Sequence, residues 1–164
     1  MNVFVPARLR PLLPLPATVL LTVAGCSSGP ANAVAVPSPS PSAAAICRAL
    51  HDRLPGTVDG LARHATTPAS PFTAAWGNPQ VELRCGVPRP RSLTPGDPHY
   101  DPTAEAVGVN DVTWLPQQFD GGYRFTTTGR AAFVEVTVPS AYKPEVNPLT
   151  DLAAAVKRAD PTEL

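Results

Sequence analysis

The chain has 164 residues, enough for one folded domain once a leader and a linker are set aside. Thirteen Lys and Arg balance thirteen Asp and Glu, but Arg8 and Arg10 fall in the amino-terminal apolar segment, so the remainder carries 11 bases against 13 acids and a net charge of −2. A slightly acidic domain with no basic block lacks the footprint that phosphate-backbone binding requires, which argues against nucleic acid as a partner.

Residues 1–25 read as an export signal: two arginines, an apolar stretch from Leu12 to Val23, then the small residues Ala24 and Gly25. Pro11, Pro14 and Pro16 disfavour a long regular helix there, so a permanent membrane span is the weaker reading. Val23-Ala24-Gly25-Cys26 resembles a lipobox, which makes Cys26 the expected lipidation site and places the mature chain on the extracytoplasmic face of a cell membrane. Two acyl chains suffice for stable anchoring. Residues 26–42 are rich in Ser, Pro and Ala and are expected to act as a tether. At roughly 3.1 Å per residue, about 16 extended linker residues would hold the domain up to some 50 Å from the bilayer.

With Cys26 assigned to lipid, Cys47 and Cys85 are an even pair in an oxidising compartment and are expected to form a disulfide. Closing a loop of about 39 residues stabilises a fold by roughly 4 kcal/mol on the chain-entropy model. Neither cysteine has a CxxC partner, and His51, four residues after Cys47, is a lone histidine, so a redox or zinc role is poorly supported.

The single folded domain is expected over residues 43–160. Ile46, Cys47, Leu50 and Leu54 recur at helical spacing behind Ser42, a candidate cap, and Pro55-Gly56 stops the run. The stretch from Gly56 to Pro79 reads as irregular, with Val58, Leu61 and Ala62 at the spacing of a helical turn. In VELRCGV, Val81, Leu83, Cys85 and Val87 alternate with Glu82, Arg84 and Gly86, so Cys85 points inward on a half-buried strand. Residues 88–105 hold five prolines and read as a long exposed loop. Strand-like runs follow at 106–115, 122–128 and 131–138, separated by short glycine-bearing connections that favour hairpins. Asn147, as cap, and Pro148 open a last helix with Leu149, Leu152, Ala153 and Val156 on one face and Lys157 and Arg158 in its final turn. The expected fold is α+β: a four-stranded antiparallel sheet, its last three strands a meander, with an N-terminal and a C-terminal helix packed on one face.

Two catalytic signatures are missing: there is no GxxxxGK[ST] and no HExxH. Asp111, Glu135 and His99 are the residues that a small wall hydrolase or modifying enzyme would use. Asp97, His99, Asp101 and Glu105 supply oxygen ligands for a divalent ion but lack a glycine-centred register, so a solvated loop is preferred and neither metal nor cofactor is expected. Trp76, Arg84, Trp114 and Arg130 are the tentative ligand or partner surface, although scarce aromatics in a small domain are more often core.

Cys47, the run Ala75-Trp76-Gly77-Asn78-Pro79 leading through Val81, Leu83, Arg84, Cys85 and Gly86 to Val87, the segment around Trp114, and Gly129-Arg130 before Val134–Pro139 together resemble a family of actinobacterial lipoproteins known as domain of unknown function 3515. The resemblance covers about residues 45–158 and implies an envelope protein of a high-GC Gram-positive bacterium, with no activity or catalytic residue to carry over. The expected function is a non-enzymatic binding or assembly module of the cell envelope, its partners the membrane through the anchor and an envelope protein or wall component. The alternatives are the small wall enzyme and a carrier for a small hydrophobic ligand.

Overall fold

In the computed structural model, which describes Met1 and residues 32–163, helix α1 spans Pro41–His51. Its cap is Ser40, whose Oγ accepts from the Ala43 amide at 3.3 Å. Ser42, the expected cap, lies inside the first turn, because Pro41 with its fixed φ suits the first helical position and moves the start back by two residues. The helix buries Ala44, Cys47 and Leu50. The expected signal and Cys26 lie outside the described residues, Met1 excepted.

Residues 32–34, within the expected tether, are held to the domain. Val34 is only 2 % exposed; its amide donates to Thr67 O at 3.1 Å, and the Thr67 amide donates to Asn32 O at 2.8 Å. Pro39 packs against Gly86, which has φ 84 and so adopts a conformation that any larger residue resists, and a β-carbon there would collide with the Pro39 ring.

The stretch expected to be irregular contains three strands. β1 (Thr57–Val58) and β2 (Leu61–His64) form a hairpin through Asp59 (φ 50) and Gly60 (φ 75). Two consecutive left-handed residues make the turn type whose twist matches paired strands, and Asp-Gly is its preferred sequence. Val58 and Leu61 are therefore cross-strand partners rather than neighbours on a helical turn. β3 (Thr73–Trp76) follows, with all four residues buried between β2 and β4 (Val81–Cys85).

The expected strand at 106–115 is likewise two strands. β5 (Val107–Val109) turns through Asn110 (φ 47) and Asp111 (φ 64) into β6 (Val112–Phe119). β7 (Gly122–Thr127), β8 (Val134–Pro139) and helix α2 (Asn147–Ala159) complete the chain. Val146, not Asn147, occupies the cap position of α2. The strands form one sheet in the order β1-β2-β3-β4-β8-β7-β6-β5, every neighbouring pair antiparallel. The sheet thus has eight strands, not four. The expectation undercounts because short strands joined by two-residue turns leave no long alternating run to read.

One face of the sheet is apolar. Val81, Leu83 and Cys85 of β4, Val134, Val136 and Val138 of β8, Phe125 of β7 and Trp114 of β6 join Cys47 and Leu50 of α1 and Leu149, Leu152 and Val156 of α2 in a single core. The Cys47–Cys85 disulfide, with Cα atoms 5.5 Å apart, ties α1 to that face of β4. Replacing both cysteines, C47A/C85A, is expected to lower the unfolding free energy by about 4 kcal/mol on the loop-entropy model, measured by urea unfolding. An unchanged midpoint would show that the helix and sheet hold together without the bond.

Candidate functional site

The period-2 pleat that buries Leu83 and Cys85 sends Arg84 to the other face, and the register continues that face across four more strands. One row of cross-strand partners runs Thr73, Arg84, Glu135, Thr126, Leu115; the next runs Ala75, Glu82, Thr137, Arg124, Gln117. Glu135 sits at the centre, 9 % exposed. Arg84 Nε lies 3.1 Å from its Oε1 and Arg124 Nε 3.4 Å from its Oε2, so one carboxylate is flanked by two guanidinium groups. A carboxylate this far from water requires such partners.

The proline-rich loop roofs part of this face. It carries a 3-10 turn at Arg91–Leu93, and two of its acids, Asp97 and Asp101, are engaged within the loop itself. Arg91 Nε donates to both oxygens of Asp97, at 3.2 and 3.0 Å, and the His99 amide donates to Asp97 Oδ1 at 2.8 Å. Those bonds, Arg91's first, hold the Asp97 carboxyl below its ordinary pKa. Asp101 Oδ1 accepts from the hydroxyl and the amide of Thr103, at 2.6 and 2.9 Å, which lowers its pKa as well. Among the described residues, Asp97, His99, Asp101 and Glu105 do not form a metal-ligating group.

Between loop and sheet is a cleft of about 420 Å³, lined by Arg89, Arg91, Ser92, His99, Gln117, Arg124, Thr126 and Glu135 together with Pro88 and Pro90. Arg89 stands over the Phe133 ring at 5.9 Å and has no ion pair among the described residues. Two further depressions are larger, about 630 and 640 Å³, and the second shares Arg89 with the cleft. In one, His51 Nε2 lies 2.9 Å from Arg63 Nη2; burial first and Arg63 second lower the His51 pKa, and Arg63 itself covers the Trp76 ring. In the other, across the loop, Tyr100 and Phe133 share the lining with Arg130 and Glu163.

The four tentative surface residues are not brought together. Trp76 and Trp114 are fully buried in the core, Trp76 with Nε1 donating to Pro55 O at 3.1 Å. Arg130 is a buried clamp: Nη1 donates to Asp160 O at 2.6 Å and Nη2 to Asp111 O at 3.0 Å, joining the end of α2 to the β5–β6 turn. Only Arg84 belongs to the cleft face. Of the three residues of the enzymatic alternative, His99 and Glu135 line the same cleft, whereas Asp111 lies in the β5–β6 turn with its carboxylate 2.6 Å from Lys157 Nζ of α2. Arg124, Arg89 and Arg91 were missed. The alternation of Tyr123, Arg124 and Phe125 places Arg124 outward, but which strand lies beside it depends on a register that the local pattern does not contain.

The architecture defines an α+β domain in which one antiparallel sheet is covered by helices on one face and presents a charged cleft on the other. The chain belongs to the family described as Protein of unknown function (DUF3515), whose profile matches residues 12–163. Neither a curated protein nor a solved structure matches the chain.

Asp160, beside the Arg130 clamp, is fully buried, and its Oδ1 accepts from the Ala132 amide at 3.0 Å. Burial pushes its pKa up to about 6, against the counteracting amide bond and the Arg130 charge. The folded state therefore keeps a proton that the unfolded chain releases near pH 4. Stability attributable to this group falls as pH rises from about 4 to about 6, by up to about 3 kcal/mol, and is flat above. D160N is expected to remove that fall, seen as a difference between wild-type and variant unfolding free energies that changes across pH 4 to 6 and is constant from pH 7 to 8.

Proposed function

We propose that this protein is a lipoprotein anchored through Cys26 on the extracytoplasmic face of the membrane, and that it acts there as a non-enzymatic binding or assembly module of the cell envelope. The observation that carries the binding role is the outer sheet face: no helix covers it, and it presents a cleft flanked by arginines and roofed by a structured loop. The disulfide fits an oxidising compartment. The position of Asp111, away from the cleft that His99 and Glu135 line, speaks against a hydrolase that uses all three, and the burial of both tryptophans removes the aromatic lining a hydrophobic carrier would use.

The docking of Val34 shortens the tether. Eight peptide steps separate Cys26 from Val34, and at about 3.5 Å each they reach no more than about 28 Å, roughly half the reach of a fully free linker. The domain would work close to the bilayer.

The anchor is tested by detergent-phase partitioning of the full chain: wild type is expected in the detergent phase and C26A in the aqueous phase, and C26A remaining in the detergent phase would refute lipidation at this residue. The binding role is tested by a photo-crosslinking residue at Gln117 in the cleft or at Ala154, exposed on α2. Adducts to an envelope component are expected from Gln117 and not from Ala154. Equal adducts from both, or none from Gln117, would refute it.

A further inference from the structure

We infer that the cleft between the proline-rich loop and the outer sheet face is a binding site for a small phosphate monoester, taken up as a dianion. The inference rests on the proposed binding role of that face and adds the chemistry of the ligand. The case is one of charge. Apart from the two arginines of the expected signal, the chain has 11 basic residues and a net charge of −2, yet three of those 11, Arg89, Arg91 and Arg124, line this cleft, and a fourth, Arg84, pairs with its Glu135 from outside the lining. Against them stand Glu135, shared by Arg84 and Arg124, and Asp97, bound by Arg91. Two of these positive charges have no carboxylate of their own in ion-pair contact among the described residues, Arg89 and one of the Glu135 pair; Glu82, in the next row of the same face, accepts from Gln80 instead. A single arginine would have sufficed to neutralise Glu135, so cross-strand pairing alone does not account for the second.

The donors are also in excess. Arg124, in the lining, approaches Glu135 through Nε, and its terminal nitrogens have no hydrogen-bond partner among the described residues. Ser92 Oγ, in the lining, has none either. A planar guanidinium with free Nη groups is suited to two-point recognition of a tetrahedral or planar oxyanion. A carboxylate brings one charge and would leave one arginine uncompensated. A phosphate monoester carries about −1.5 to −2 at neutral pH and matches the excess. The cleft volume of about 420 Å³ is near the lower end of ligand sites, which limits the remainder of the molecule to the size of a single sugar or a glycerol unit.

The test is calorimetric titration of the full chain in non-ionic detergent with glycerol 3-phosphate, with short-chain phosphatidic acid, and with acetate and glycerol as controls. Saturable binding of a phosphate monoester, weakened about tenfold by R89Q and by R124Q but not by R158Q on α2, is the expected result. Tighter binding of phosphatidic acid than of glycerol 3-phosphate would assign the phosphate to a lipid headgroup, and the reverse order to a soluble ester; both support the site. R89Q alters an exposed side chain and keeps the test open should R124Q unfold. No binding into the millimolar range, binding equal to that of acetate, or equal weakening by R158Q would overturn the inference. If Gln117 still yields specific adducts in that event, the binding role survives and only the phosphate chemistry fails.

Discussion

The arrangement of this domain depends on the bond between Cys47 and Cys85. An eight-stranded sheet has two faces, and the chain supplies two helices, of 11 and 13 residues, to cover them. Both pack on the same side, and the disulfide joins α1 to the middle of that side, on β4 beside β8. Gly86 follows Cys85 at a positive φ and leaves room for Pro39, so the residues entering α1 lie against the same place. A covalent link between the first helix and a central strand fixes the helices to one face and leaves the other without a helix, although several of its residues, Thr73, Thr126 and Glu135 among them, are buried.

That asymmetry explains the chemistry of the outer face. Residues on the exposed side of five adjacent strands cannot be apolar without forming a large hydrophobic patch, and the rows are accordingly polar over much of their length. The proline-rich loop then folds back over part of them, so charges that would otherwise be fully solvated become half-buried. Glu135 is the group most affected, and its two arginines answer its loss of water. The surplus of positive charge is a different matter, because it exceeds what Glu135 and Asp97 require in a chain that is acidic outside its first 25 residues.

The parts of the fold legible from the residues are those governed by local period. The helical spacing of Ile46, Cys47 and Leu50, the alternation around Cys85 and the apolar stripe of α2 each follow from neighbours a few positions away. The hairpins at Asp59-Gly60 and Asn110-Asp111 escaped because they join strands of two to eight residues, too short or too closely joined for the alternation to separate them. Asp-Gly was itself a turn signal, and reading Val58, Leu61 and Ala62 by helical spacing obscured it. The prospective surface failed for another reason: an indole or a guanidinium is compatible with either core or surface, and Trp76, Trp114 and Arg130 all lie inside.

By itself the amino-acid sequence led to the pairing of Cys47 with Cys85 and to the inward direction of Cys85, since parity and a two-residue period need no knowledge of distant neighbours; the export-like amino terminus with Cys26 is a reading of the sequence alone. Only the tertiary structure decided that there are eight strands, that residues 32–34 dock on the domain, and that Arg84, Glu135 and Arg124 meet beneath Arg89 and Arg91. Strand order and register bring together residues far apart in the chain, as they do Arg84 and Glu135, 51 positions apart, on β4 and β8. A local pattern fixes which way a side chain points, and only the pairing of whole strands fixes what it points beside.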